Sequence, residues 1–168
     1  MAIRLNWFCK KSPLIAVNQV ALKAGSGCTD ALLHIDNYVT NALSFKNHVT
    51  ILSIDFEKAF DRIGAHVILS SLKKWKVGLK IFKYVKSYLN GRNFRVKING
   101  SYSALFPLHN GIPQGSPLSV MLFKIAFNEL SLMINKSQYI DHCIYADDLY
   151  IFSKKTATLP QMKSFKLL

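Results

Sequence analysis

Hydrophobic positions recur along this chain with two periods, and each change of period marks a new element. Ala31, Ile35, Tyr38, Val39, Ala42 and Leu43 recur at helical spacing behind Thr29 and Asp30, either of which can cap a helix running to about Lys46. Val49 to Phe56 is β-rich and nearly continuous in apolar residues, which predicts a buried strand ending at Asp55–Phe56. Two helices follow: one from about Ala65 to Lys76, stopping at Gly78, and one from about Leu79 to Leu89, stopping at Asn90–Gly91. Asn93 to Ile98 alternates strictly, with Phe94, Val96 and Ile98 on one face and Asn93, Arg95 and Lys97 on the other. Asn99–Gly100 is a strong hairpin turn, and Tyr102 to Leu108 is the return strand. After a turn-rich loop, Asn110 to Pro117, the pattern predicts a helix from Pro117 to about Asn135, apolar almost all round and therefore buried. A strand from Tyr139 to Ala146, the pair Asp147–Asp148 and a strand from Leu149 to Ser153 complete the pattern, and residues 154–168 form a weakly patterned tail. The alternation of sheet and helix predicts an α+β fold, with helices packed on one face of an antiparallel sheet.

The chain has 168 residues, half of them hydrophobic, with no internal repeat, low-complexity tract or linker, which suits one domain over 1–168. No membrane span is expected, because the greasiest run, Val120 to Phe127, is interrupted by Lys124 and falls short of the roughly 20 apolar residues a span needs. Asn6, Lys10 and Lys11 interrupt the apolar run a secretion signal requires, so the protein is not expected to be secreted. Cys9, Cys28 and Cys143 are odd in number and contain no CxxC pair, which supports neither a disulfide scaffold nor a structural zinc site. Charge adds more. Lys and Arg number 22 against 9 Asp and Glu, a net charge of +13, which calls for a polyanionic partner. Nucleic acid, a membrane surface or an acidic protein would each satisfy it.

Three segments carry chemistry. Asp55 closes the predicted strand within Ser53 to Asp61, where a rigidly held carboxylate at a sheet edge suits Mg²⁺ and its fixed octahedral oxygen shell; the same residue could instead cap a following helix. Asp147 and Asp148 stand between two apolar strand-like runs, where adjacent carboxylates repel unless a cation sits with them; an Asp-rich hairpin turn is the alternative. Gly111 to Pro117 supplies glycines for close backbone approach and Gln114 as donor and acceptor, or is an ordinary loop before a helix. Together the three are more specific than any alone. Three carboxylates around two Mg²⁺ ions suit in-line phosphoryl displacement, and the excess of Lys and Arg suits a nucleic-acid backbone.

Asp55-Phe-Glu-Lys-Ala-Phe-Asp61, Gly111-Ile-Pro-Gln-Gly-Ser-Pro-Leu-Ser119 and Tyr145-Ala-Asp-Asp148 resemble, in order, motifs A, B and C of reverse transcriptases. The wording is closest to non-LTR (LINE-type) retrotransposon polymerases of the I-factor and jockey-like kind, as seen in Ser87 to Arg92, Leu118 to Ser131, and Gln19 to Lys23 leading into Asp30 to Leu33. The resemblance covers about residues 19–153.

It implies a ferredoxin-like palm with part of the fingers, and template-directed DNA synthesis from RNA. By position, Asp55, Asp147 and Asp148 would be catalytic and bind two Mg²⁺ ions, with Mn²⁺ able to substitute and the Phe56 carbonyl adding a ligand. Lys58 and Ala59 would offer backbone N–H groups to the triphosphate, and Phe60 would lie beneath the sugar, where its ring would clash with a 2′-OH unless it is simply a core aromatic. Gln114 and Gly115 would contact nucleotide and template, and Lys23, Arg92 and Tyr145 would touch nucleic acid. The implied partners are an RNA template, a DNA primer and deoxynucleoside triphosphates, with no membrane; the implied location is the nucleus and a cytoplasmic ribonucleoprotein. The first fingers motif, the motif after the Tyr-Ala-Asp-Asp hairpin, the primer grip and the thumb are not found in the sequence. The expectation is therefore a partial polymerase core, active or a non-catalytic basic nucleic-acid-binding remnant. Another two-metal palm, an RNA-dependent RNA polymerase or a nucleotide cyclase, is disfavoured by Phe60 and the Pro-Gln-Gly loop.

Overall fold

In the computed structural model, residues 1–12, 14–23 and 25–153 are described, so the expected tail over 154–168 lies outside the described residues. The chain divides into two compact units that interleave in sequence: one holds residues 1–15 and 57–127, the other 16–56 and the chain from 128 onward.

The second unit is built on a three-stranded antiparallel sheet in the order β1 (Thr50–Asp55), β7 (Asp148–Ser153), β6 (Asp141–Tyr145). Helix α2 (Cys28–Ser44) packs Ala31, Ile35 and Tyr38 against Cys143 and Phe152. On the other face, Ser131 of α6 (Pro117–Ile134) lies 2.7 Å from the buried His142. The packing of α2 on one face of an antiparallel sheet is the arrangement the sequence pattern predicts. β6 and β7 are apolar on both faces, with Cys143 and Phe152 buried on one and Ile144, Leu149 and Ile151 on the other. A segment from Asn18 to Val20 adds a short parallel bridge to β6 through Ile144 N–H to Asn18 O (2.8 Å) and Val20 N–H to Ile144 O (3.0 Å).

The expectation of a buried β1 is corrected. Thr50 to Ser53 are all exposed, because β1 pairs only with β7 and forms an edge of the sheet. A continuous apolar run reads alike in a central strand and in a sheet edge. The cap of α2 also differs from expectation: Gly27 is the N-cap, and Asp30, three residues on, accepts its N–H at 2.6 Å.

In the first unit, α4 (Ala65–Lys74) packs on α5 (Leu79–Leu89), burying Ile68, Leu72, Val85 and Leu89. Lys76, not Gly78, takes the left-handed conformation after α4, with φ of +53°, and Gly78 becomes the N-cap of α5. Two elements were not legible. One is α1 (Ala2–Lys11), whose only buried residues are Leu5 and Cys9, too few to show a period; the other is the four-residue α3 (Ala59–Arg62). The long hairpin is broken in two. β2 (Arg92–Phe94) pairs with β5 (Phe106–Leu108), and β3 (Lys97–Ile98) with β4 (Ser101–Tyr102), around the expected Asn99–Gly100 turn. The return strand has one more residue than its partner between the two ladders, a bulge fastened by Ser103, whose Oγ accepts the N–H of Val96 at 2.9 Å.

The helix from Pro117 begins as expected and runs to Ile134. By length and composition it could cross a membrane, yet 67% of it is buried inside the fold. Even Lys124, which interrupts its apolar run, is buried.

Candidate active site

Asp55 is the last residue of β1 and Asp148 the first of β7, and the two are directly opposed in the ladder. Opposed residues point to the same face, with Cβ atoms about 4.5–5.5 Å apart, and like charges so placed repel. Asp147 occupies the two-residue loop with Ala146 that joins β6 to β7, closed by the pair Tyr145–Asp148. Ala146 adopts φ of +56°, which a tight hairpin of this hand demands and an L-residue accepts at a cost of about 1 kcal/mol. Asp55 is exposed and Asp147 and Asp148 half-buried, at the opposite end of the sheet from Asp141 and Phe152, where His34 and Tyr38 of α2 pack. Among the described residues, no ion pair neutralises any of these three carboxylates, and no three His, Cys, Asp or Glu side chains gather into a group able to hold a metal. The ladder brings Asp55 and Asp148 together; Asp147 stands beside them in the loop. Two hard, unpaired oxygen ligands side by side are the donor set a divalent cation accepts. Phe56 follows directly and is half-buried.

The remaining candidates of this unit divide. Tyr145 packs against the cluster of Val20, Ala31, Cys143 and Phe152, which accounts for it as a core aromatic. Lys23 is exposed in a bend. Burial pushes the Cys143 thiol up to about 11, with Asp141 adding to the effect, so it is an inert core residue.

In the other unit, the end of motif A is stitched to the start of motif B. Ile112 N–H donates to Phe60 O at 2.8 Å, Gly111 N–H to Ile63 O at 2.9 Å, and Gln114 Nε2 to Asp61 Oδ1 at 3.4 Å. Gly111 has φ of +90°, and a Cβ there would meet the Asp61 carbonyl oxygen at 2.8 Å, so close approach as well as conformation requires glycine. Gly115, φ +84°, faces open space. Lys58, at φ +53°, caps α3, and the N–H groups of Lys58 and Ala59 fall at its start, where no helical acceptor serves them. Phe60 is half-buried, its ring stacked on Phe123 at 4.1 Å and 15°. One face of the ring is thus held by the core, so the core-aromatic and sugar-contact readings are compatible. Arg92 donates from Nη1 to the Gly111 carbonyl at 2.8 Å, so it braces the motif B loop.

Sequence reasoning missed the polar groups that hold the second unit together. Asn128 is fully buried and its Oδ1 accepts the Ala16 N–H at 2.8 Å, while Asn18 donates to Asp141 and to the His142 carbonyl. A buried asparagine in a near-continuous apolar helix is the signal that could have found the first.

An antiparallel sheet carrying one carboxylate at a strand end and two at a neighbouring hairpin has the layout of a polymerase palm. The comparisons specify it. The pattern described as Reverse transcriptase (RNA-dependent DNA polymerase) matches residues 1–165, and the chain belongs to that family. It is 27% identical over 125 residues to the probable RNA-directed DNA polymerase from transposon BS of Drosophila melanogaster, covering 74% of this chain and 14% of that protein. It is 25% identical over 145 residues to the RNA-directed DNA polymerase from mobile element jockey of the same species, covering 84% and 16%. The chain thus spans about a seventh of the length of these relatives. The fold is similar to that of apo telomerase from Candida Tropicalis truncated from its C-terminal domain, with a TM-score of 0.72, 18% identity, and coverage of 96% of this chain and 34% of that one. The resemblance to jockey-like non-LTR elements and the partial palm-and-fingers α+β fold therefore hold. The family generally uses divalent metal ions.

Proposed function

We propose that this chain is a polymerase core that adds deoxynucleotides to a DNA primer on an RNA template. The observation that carries the reading is the register that sets Asp55 against Asp148 with Asp147 in the adjoining tight loop. Asp55, Asp147, Asp148 and the Phe56 carbonyl would hold two Mg²⁺ ions, or Mn²⁺ in their place. When bound, such ions lower the pKa of an attacking hydroxyl and neutralise charge on the phosphates. The β1 and β7 backbones contribute by fixing two carboxylates in place before any ligand arrives. Lys58 and Ala59 offer N–H groups suited to phosphate oxygens. Phe60, held by Phe123, presents an edge that would exclude a ribonucleotide's 2′-OH. Gln114 and Gly115 would contact nucleotide and template, with Gly115 leaving its surroundings open. Lys23 is assigned to the nucleic-acid backbone. We also assign the chain to the nucleus and to a cytoplasmic ribonucleoprotein, without membrane attachment.

A second reading is a non-catalytic basic nucleic-acid-binding remnant, favoured by the lack of a three-carboxylate group among the described residues. Primer extension on an RNA template with deoxynucleotides and Mg²⁺ separates the two. Extension by folded, monomeric wild type, abolished in Asp147→Asn/Asp148→Asn, is expected. Absence of extension from a folded sample, with RNA binding unchanged by the double substitution, would establish the second reading.

A further inference from the structure

The net charge is unevenly placed. The unit made of residues 1–15 and 57–127 contains fifteen Lys and Arg against two acids, Glu57 and Asp61, whereas the other contains seven of each. Both acids of the basic unit are engaged, Glu57 with Arg62 at 3.2 Å and Asp61 with Gln114 at 3.4 Å. By residue count this unit therefore carries the whole excess of positive charge, 15 − 2 = +13.

The hairpin of β2 to β5 concentrates the consequence. Lys97 and Tyr102 are ladder partners and share a face. The Arg95 guanidinium carbon lies 4.0 Å from the centre of the Tyr102 ring and the Lys97 ammonium 5.3 Å from it. Two like charges converge on one ring, and residues 93–107 are exposed throughout. The ring's quadrupole offsets part of their repulsion. A phosphate would offset the rest. The guanidinium is planar, and a planar cation beside an aromatic ring offers a surface on which a base can stack. The backbone that carries these side chains is fastened by Ser103, which binds both backbone groups of Val96, through its N–H to Val96 O and its Oγ to Val96 N–H, each at 2.9 Å.

We propose that Arg95, Lys97 and Tyr102 form a contact for single-stranded RNA that needs no primer, the cations taking phosphates and an unpaired base stacking on the Arg95–Tyr102 pair. The choice of RNA over DNA rests on the reverse transcriptase reading; the charge and stacking geometry do not.

The test is fluorescence anisotropy with the full chain and labelled oligouridine of about 20 nucleotides in EDTA, titrated over a range of salt. Arg95→Gln/Lys97→Gln should weaken binding about tenfold near 0.1 M salt and reduce the log–log salt slope by about 1.4, twice the single-strand value per phosphate contact. Tyr102→Leu should weaken it about tenfold with the slope unchanged, and leave binding of an RNA duplex unaltered, because only unpaired bases stack. Lys80→Gln/Lys83→Gln removes equal charge from α5 and should have a smaller effect; an equal effect would reduce the binding to general charge and overturn the proposal. It would also be overturned by unchanged binding in either hairpin variant, by oligothymidine binding as tightly as oligouridine, or by tighter, hairpin-dependent binding to phosphatidylserine vesicles. Asp147→Asn/Asp148→Asn should bind oligouridine like wild type. Primer extension decides the polymerase reading and the hairpin variants decide the hairpin contact, so the two can fail separately. All variants replace exposed side chains except those at Asp147 and Asp148, which are half-buried, and circular dichroism confirms that each is folded.

Discussion

Phe60 lies flat on Phe123, ring centres 4.1 Å apart, and Phe123 in turn stacks on Phe127 at 4.4 Å. The column ties a candidate sugar-contact residue to the buried helix α6. The two rings should therefore respond differently to truncation. Phe123 is 1% exposed, and Phe123→Ala should cost about 3–5 kcal/mol through the cavity it leaves. Phe60 is half-buried, so Phe60→Ala should cost less and should raise incorporation of ribonucleotides relative to deoxynucleotides. Urea denaturation of both variants and competition between the two nucleotide types in primer extension check this. Unaltered selectivity in a folded Phe60→Ala protein would leave the residue a core aromatic alone.

The motif B loop depends on Gly111 for two reasons and on Gly115 for one. At Gly111 a methyl group would strike Asp61 backbone at 2.8–2.9 Å while φ is +90°. Gly111→Ala should destabilise by about 2–4 kcal/mol, combining strain with the displacement of backbone. Gly115→Ala meets nothing and should cost only about 1 kcal/mol. Thermal melts of the two variants side by side decide it. Equal shifts would mean that the contact with Asp61 relaxes freely.

These loops show what the sequence makes legible. Local signals were sufficient where one residue dictates the backbone: Pro117 opens α6, Asn99–Gly100 turns the hairpin, and the apolar runs on either side of Asp147–Asp148 form β6 and β7. The places of Asp55 and Asp148 at strand ends were legible for the same reason, whereas their grouping with Asp147 as a metal site came from the resemblance to the reverse transcriptase motifs. Information carried by contacts was not legible. Edge and centre of a sheet look alike along β1, the bulge at Ser103 requires a count across two strands, and nothing near Arg92 in sequence announces Gly111 as its acceptor. Phe60 carried two readings because an aromatic at a motif is also a good core residue.

The opposed pair Asp55–Asp148 should make the protein sensitive to divalent cations even without nucleic acid. Repulsion between directly opposed like charges costs about 0.2–1 kcal/mol, so Asp148→Asn should be slightly more stable than wild type in EDTA. Adding Mg²⁺ should then raise the melting temperature of wild type and do little for Asp148→Asn, since only a ligand that binds the native state stabilises it. Scanning fluorimetry across a Mg²⁺ series tests both parts. Identical Mg²⁺ responses in the two proteins would show that these carboxylates do not bind the ion.

The buried His142 should set an acid limit on stability. Its ring is fully buried, Nε2 lies 2.7 Å from Ser131 Oγ, and Nδ1 has no partner among the described residues. That pattern fits the neutral tautomer with Nε2–H donating to Ser131, leaving Nδ1 as a bare acceptor. Burial lowers its pKa to about 4, against the opposing pull of Asp141 and with a further lowering from His34, the two charged groups that bear on it. The unfolded chain protonates the same ring near 6.5, so between about pH 6.5 and 4 the unfolded state binds more protons and stability falls as pH falls. The full loss is about 3 kcal/mol, reached once pH has passed the folded-state value. Above pH 6.5 the term vanishes. His142→Gln removes the titration while keeping a donor for Ser131, so the difference between wild type and variant in urea-derived stability should shrink or reverse from pH 7 to pH 4. A constant difference across that range would mean that His142 titrates normally and that its burial is relieved in solution.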